Sequence, residues 1–230
     1  MTRVLVPVAV LEGGTVSHGL ITLLGAVEVT VLGYHVLPEQ TPPDQARLQY
    51  EDRATEALEG LTEEFQDAGA EADHRLVFTH DRDKTVDRVA EETGATAVAI
   101  SGMTSDVERI LVSLSGEFPV DRILSFVEDL ISGRDIAVTL LFAGDEGDAD
   151  PLDAANARLR DSGIETTLKS ATGESPFEAM LEAVANHDVI VMGEKAPSLR
   201  SLIFGEESDR VASAAVGPVL VVRSERPPDE

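Results

Sequence analysis

Short apolar runs alternate with longer amphipathic runs along the whole 230-residue chain. RVLVPVA at Arg3, VEVTVLGYHVL at 27–37, ADHRLVFT at 72–79 and ATAVAIS at 95–101 have the length and β-branched content of strands. Between them, DQARLQYEDRATEALEGLTEEFQDAG (44–69) and KTVDRVAEETG (84–94) carry the helical period. The second half repeats the alternation. RILVSLSG opens it at Arg109, and Val120, Ile123, Leu124, Val127, Leu130 and Ile131 mark one face of a helix. Strand DIAVTLLFAG, helix DPLDAANARLRDSG, strand IETTLKSATG and helix SPFEAMLEAVANH follow. DVIVMG then leads through a loop to a helix at SDRVASAAVG (208–217) and a last strand, PVLVV (218–222).

The openings RVLVPVAV at Arg3 and RILVSLSG at Arg109 align without gaps, at an offset of 109 − 3 = 106 residues. Strands alternating with helices over short connections imply parallel sheets with helices on both faces, and right-handed crossovers make each half doubly wound. The fold class expected is therefore α/β, as two repeated doubly wound domains. The halves are unequal. After AVAISGM the first passes directly through TSDVE into the second repeat, so it lacks the last loop, helix and strand. The expected domains are 1–106, truncated, and 107–230.

Charge narrows the setting. The chain holds 43 acidic against 18 basic residues, a net charge of −25. Such self-repulsion opposes compactness in dilute buffer, and at about 1 M salt a Debye length of ~3 Å removes most of it. Lys84, Lys169 and Lys195 are the only lysines. Few lysines on an acidic surface is the pattern of a halophile cytoplasmic protein. An acidic disordered tail does not fit, because 43% of residues are apolar and the acids are spread through periodic segments. No basic patch exists to displace counterions, which argues against nucleic acid and anionic membranes as partners. With no cysteine, disulfides and thiolate metal sites are excluded. The N-terminus lacks the long apolar region of a signal peptide, and no segment reaches the ~18 apolar residues of a membrane span, so membrane insertion is not expected.

The stretch GEKAPSLRSLIFGEESDRVASAAVGPVLVVR (193–223) leaves a strand, turns through two glycines and enters a helix. Free N–H groups and a helix dipole at such a turn suit phosphate. GxxxxGK[ST], GxGxxG after a strand and GxSxG are all absent. GDEGDAD (144–150) lacks the ligand spacing of a calcium loop and reads as a solvated loop. His18, His35, His74, His80 and His187 have no metal-ligand spacing. Acidic pairs such as Glu63 and Glu64 carry no information in so acidic a chain. No catalytic constellation emerges, so the chain is not expected to be an enzyme.

In the openings RVLVPVA and RILVSLS, the second strands VEVTVLGYHV and IAVTLLF, and the ending from VIVMGEK to GPVLVV, the chain resembles the universal stress protein family in tandem form. The resemblance implies a phosphate loop of glycine, two residues, glycine, nine residues and Gly-Ser or Gly-Thr. It also implies an aspartate after the first strand, beside an adenosine. Here Gly193 is kept, Ala196 replaces the second glycine, eight residues lead to Gly205, and Glu206 holds the Ser/Thr position. The aspartate position holds Ala9 in one half and Ser115 in the other. A carboxylate about 4 Å from a phosphate charge costs ~1 kcal/mol in water and ~4 at an effective dielectric near 20. Glu206 is expected near that spot, with Glu194 and Glu207 nearby and Lys195, Arg200 and Arg210 as offsetting charges. On the alternative reading Gly193 merely ends a strand, while Ser208 or Asp209 caps the last helix.

Two functions follow as expectations. One is a non-catalytic stress or regulatory protein with a decayed nucleotide site and no cofactor, acting on an unidentified protein partner. The other is a sensor that binds ATP or AMP through 193–208. The resemblance also implies pairing of Pro218, Val219, Leu220, Val221 and Val222 with a second copy in a homodimer. The alternative is that this strand only completes its own sheet.

Overall fold

A computed structural model describes residues 2–100, 102–114, 119–144, 150–172, 176–195 and 217–224. The chain forms two compact units, Met1–Ser101 and Gly102–Glu230. In the first, β1 (Arg3–Ala9), α1 (His18–Leu24), β2 (Glu28–Val36), α2 (Pro43–Asp67), β3 (Glu71–Thr79), α3 (Arg82–Thr93) and β4 (Ala97–Ile100) follow in order. The strands lie β3-β2-β1-β4 and pair in parallel.

Strand alternation sends neighbouring residues to opposite layers. Leu5 and Leu32 pack with Val89 and Ala90 of α3. Gly33, one residue on, faces the other way, where a Cβ would lie 2.5 Å from Cδ1 of the fully buried Leu58 of α2. Glycine there lets α2 approach the sheet closely. Local signals set the helix ends. Pro43 opens α2, Asp81 caps α3 by accepting the Lys84 N–H at 3.1 Å, and Gly94 ends α3 in the left-handed region at φ 65. At the amino ends of β1 and β2 the Arg3 guanidinium donates twice to Glu28 Oε2, at 2.6 and 2.9 Å. That bond raises the Arg3 pKa above its ordinary value. After Ile100 the described chain is irregular from Gly102 to Glu108 and enters the next strand without an intervening helix.

The second unit contains β5 (Arg109–Ser113), α4 (Val120–Ile131), β6 (Ala137–Gly144), α5 (Asp150–Asp161), β7 (Thr166–Thr172), α6 (Pro176–Val184), β8 (Val189–Gly193) and β9 (Val219–Val222). Its strands run β9-β8-β5-β6-β7, again parallel. β8 and β9 are buried at every position, as parallel strands covered on both faces should be. α4 spans 120–131 as the periodicity predicts, burying Ile123, Leu124, Phe126, Val127, Leu130 and Ile131. The helix expected at 208–217 lies outside the described residues, apart from Gly217.

Two polar junctions fix this unit. Arg158 of α5 donates to Glu128 of α4 at 2.6 and 3.1 Å, to the Ser125 hydroxyl at 2.8 Å and to Asp121 Oδ1 at 3.2 Å. The Arg158 hydrogen bond holds the Glu128 carboxyl below its ordinary pKa of 4.5. Asp188, just before β8, accepts the N–H groups of Glu108 and Arg109 on one carboxylate oxygen, at 3.0 and 2.9 Å. Its own N–H donates to the Arg109 carbonyl at 2.9 Å.

Candidate functional site

In the second unit the chain leaves β5 for β6 and β7, then crosses back to β8 on the other side of β5. The carboxyl ends of β5 and β8 therefore flank the topological switch point, where open α/β sheets bind ligands. Ser113 ends β5, is 2% exposed and lies in register with Met192. Gly193 ends β8, is buried and lies in register with Val222 of β9. The predicted site residues Ser115, Ala196, Arg200, Gly205, Glu206 and Ser208 lie outside the described residues. Of the predicted nucleotide-binding set, Gly193 alone falls within them, and it stands where the reading placed it, at a strand end.

Beyond Gly193 the strand is tied down. The Glu194 N–H donates to the Val222 carbonyl at 2.9 Å, continuing the ladder. The Glu194 carboxylate accepts a hydrogen bond from the Ser224 hydroxyl. Glu194 thus keeps a fixed carboxylate at the root of the loop, while Lys195 is exposed to solvent. Sequence reasoning missed Ser224, because nothing in the order of residues relates it to Glu194 before β8 and β9 are known to be neighbours.

At the other aspartate position, Ala9 in the first unit, the chain folds back. The Ala9 carbonyl accepts the N–H groups of Glu12 and Gly14, both at 3.1 Å, and Gly13 turns at φ 74. A Cβ on Gly14 would lie 3.0 Å from the Ala9 backbone N and O. Backbone therefore presses against this corner.

Pro218 accepts the Ile190 N–H at 3.0 Å, and β9 pairs with β8 along its length. Val219, Leu220, Val221 and Val222 are 6, 0, 7 and 0% exposed. Gly217 before them is hemmed in by backbone, since a Cβ would lie 2.0 Å from the Asp188 carbonyl oxygen. Gly102 is hemmed in by Gly217 in turn, since a Cβ on Gly102 would lie 2.5 Å from the Gly217 carbonyl carbon.

The histidines serve separate local contacts. The Thr62 hydroxyl donates to the Leu58 carbonyl at 2.7 Å, so His74 Nδ1, 3.2 Å away, is the donor to Thr62. His187 bridges the Ala183 carbonyl and the Thr139 hydroxyl, at 2.7 Å each. His80 Nδ1 lies 3.2 Å from the Leu37 carbonyl, and His35 Nδ1 lies 3.7 Å from Glu12. Among the described residues no group of three or more His, Asp and Glu is placed to hold a metal ion. No helix among them is long and apolar enough to cross a membrane.

Residues 128–223 match the family model described as the universal stress protein family. Over that span the second half of the chain is similar to the universal stress protein family. The matched span runs from the end of α4 through β9, and so includes the strand end at Gly193 and the GPVLVV ending. A solved universal stress protein from Archaeoglobus fulgidus shares the fold of the chain. Its TM-score is 0.64 at 19% identity, over 99% of this chain and 97% of its own. The hypothetical protein MJ0577, solved as a test case of structural genomics, aligns with 53% of this chain and 99% of its own. At 19% identity and a TM-score of 0.39 it carries no argument here. No curated protein matches.

Proposed function

We propose that this protein is a non-catalytic stress-response or regulatory protein of the cytoplasm that acts through contacts with other proteins. On this reading it has two universal-stress-protein-like domains, 1–106 and 107–230. The first lacks the final helix and strand, and the second has lost the anchoring groups of its nucleotide site. The observation that carries the reading is Glu194. Its carboxylate is held by Ser224 at the strand end from which a phosphate loop would start, and a fixed negative charge there opposes a polyphosphate. Ala9 lends support, since the first domain offers a methyl group and a folded-back turn at the position of the family's aspartate. Neither observation supplies a group that would grip adenosine or a metal-bound phosphate.

The homodimer expected through residues 218–222 needs the outer edge of β9 open to a second copy. Burial of all four strand residues within one chain favours the other reading, in which β9 completes its own sheet.

Isothermal titration with ATP and with AMP in molar KCl tests the proposal, on protein first analysed for co-purified nucleotide. No heat and no carried nucleotide are expected. Micromolar binding would overturn it in favour of an ATP- or AMP-sensing loop at 193–208. Light scattering on the same sample should show a monomer, and a dimer that Val221→Arg dissolves would restore the strand-mediated pair.

A further inference from the structure

β7 is the outer strand of the second unit, paired with β6 on one side and with no described residue on the other. The Val138 N–H donates to the Glu165 carbonyl at 2.9 Å, which fixes the phase of the ladder. Along a strand in a parallel pair, residues alternate between those that bond the neighbour and those that turn both backbone groups away. Glu165, Thr167 and Lys169 therefore bond β6, while the N–H and C=O groups of Thr166, Leu168 and Ser170 point out of the sheet edge. Leu168 and Ser170 are exposed, and Thr166 is half-buried with its hydroxyl on Asn156 Oδ1 at 2.5 Å.

An open edge is ordinarily guarded by charges, a proline or a bulge. β3, the outer strand of the first unit, has its guard in exposed Glu71, Asp73 and Arg75. β7 reads TTLKSAT, with no acid, no proline and an unbroken register from Thr166 to Thr172. Its one charge, Lys169, makes it a basic strand in a chain of net charge −25. A second lysine directly opposite would be repelled, and a carboxylate there would be held. Glu182 of α6 lies 4.0 Å from the Lys169 ammonium, at the outer limit of an ion pair, so the ammonium can receive another acid. An acidic partner meets like-charge repulsion over most of this surface and least along β7. We propose that β7 is a docking edge for an extended segment of a partner protein, which adds as a strand outside it and sets a carboxylate beside Lys169. Main-chain bonds to Thr166, Leu168 and Ser170 supply the affinity. The inference rests on the reading that the protein acts through protein contacts, and it locates one of them.

The probe is the blocked peptide TVTETVT, added at saturating concentration to the full chain at the lowest KCl that keeps it folded. Amide hydrogen exchange is followed residue by residue by NMR. The amides of Thr166, Leu168 and Ser170 should slow about tenfold once nine-tenths of the chain is occupied, while those of Thr167 and Lys169, already bonded to β6, change little. TVTQTVT should bind about threefold more weakly, as the loss of one exposed ion pair implies. L168P removes an outward N–H and none of the bonds to β6, and it should abolish binding. K169E keeps every backbone group and should erase the preference for the glutamate peptide. Circular dichroism confirms that each variant is folded. No slowing at the three amides, equal slowing along β3, or binding undiminished by L168P would each overturn the docking edge. Slowing of the same amides with protein concentration alone would give the edge to a second copy and overturn the proposal as well. The two readings fail separately: ATP binding would remove the non-catalytic reading without touching β7, and a silent peptide would remove the edge without bearing on ATP.

Discussion

Gly217→Ala should be among the most damaging single-methyl additions available to the second unit. The new carbon would stand 2.0 Å from the Asp188 carbonyl oxygen and 2.9 Å from its carbonyl carbon. An ordinary C···O contact is about 3.3–3.6 Å, so one backbone or the other must move by more than about 1 Å. Neither is free to do so. Asp188 is pinned by its N–H bond to the Arg109 carbonyl and by its carboxylate on the Glu108 and Arg109 N–H groups. Next to Gly217, the Pro218 carbonyl accepts from Ile190. Overpacking costs about 1–3 kcal/mol, and loosening one or two net hydrogen bonds adds about 1 kcal/mol each, so the expected loss is roughly 2–4 kcal/mol. Urea unfolding in molar KCl, followed by circular dichroism, should show the midpoint falling by about 1 M or more, given slopes of about 1–3 kcal/mol per molar. Gly60→Ala is the internal control. It adds the same methyl in open space on a helix and should stabilise by about 1 kcal/mol. If Gly217→Ala leaves the midpoint where Gly60→Ala does, the close approach at Asp188 is not a constraint and the reasoning fails.

Two further changes test the packing and the electrostatics. The Thr30 hydroxyl is fully buried without a hydrogen-bond partner among the described residues, on the Leu5 and Leu32 face of the sheet. Thr30→Val should therefore raise stability by about 1 kcal/mol, and a destabilised variant in the same urea assay would show that the hydroxyl is satisfied. The Glu128 carboxyl is held below its usual pKa by Arg158. Its contribution is therefore present above the unfolded value near 4.5 and is lost as pH falls through the lower folded value. Arg158→Ala should cost about 1–2 kcal/mol at neutral pH, since the pair is partly solvated, and should flatten the stability–pH curve below about pH 4.5. An unchanged acid limb would remove Glu128 from the account.

What the sequence disclosed, and what it withheld, follows from the range of each interaction. Periodicity is local, and it located β2, α4 and β6 to within a residue or two because the apolar faces it marks are the faces buried. It fell short at an end where a cap decides. The helix read from Lys84 begins at Arg82, because Asp81 reaches back to the Lys84 N–H. The gap-free match of Arg3 with Arg109 was legible because both open a first strand with the same buried run. Long-range pairs were not. Glu194 and Ser224 meet because β8 and β9 are adjacent, and Arg158 meets Glu128 because α4 and α5 are. In a chain with 43 acids, no pattern singles out the few that have partners. Glycines make the point most sharply. Gly60 sits inside a helix, where its residue type suggests a break, and the helix runs through it. Gly217 sits before a strand, where its residue type suggests only a turn, and what it supplies is the absence of a side chain against Asp188. The family resemblance marks the second glycine within a motif, and the packing gives it a cause. For the first it offers none, and only the packing shows that Gly60 faces open space on the helix.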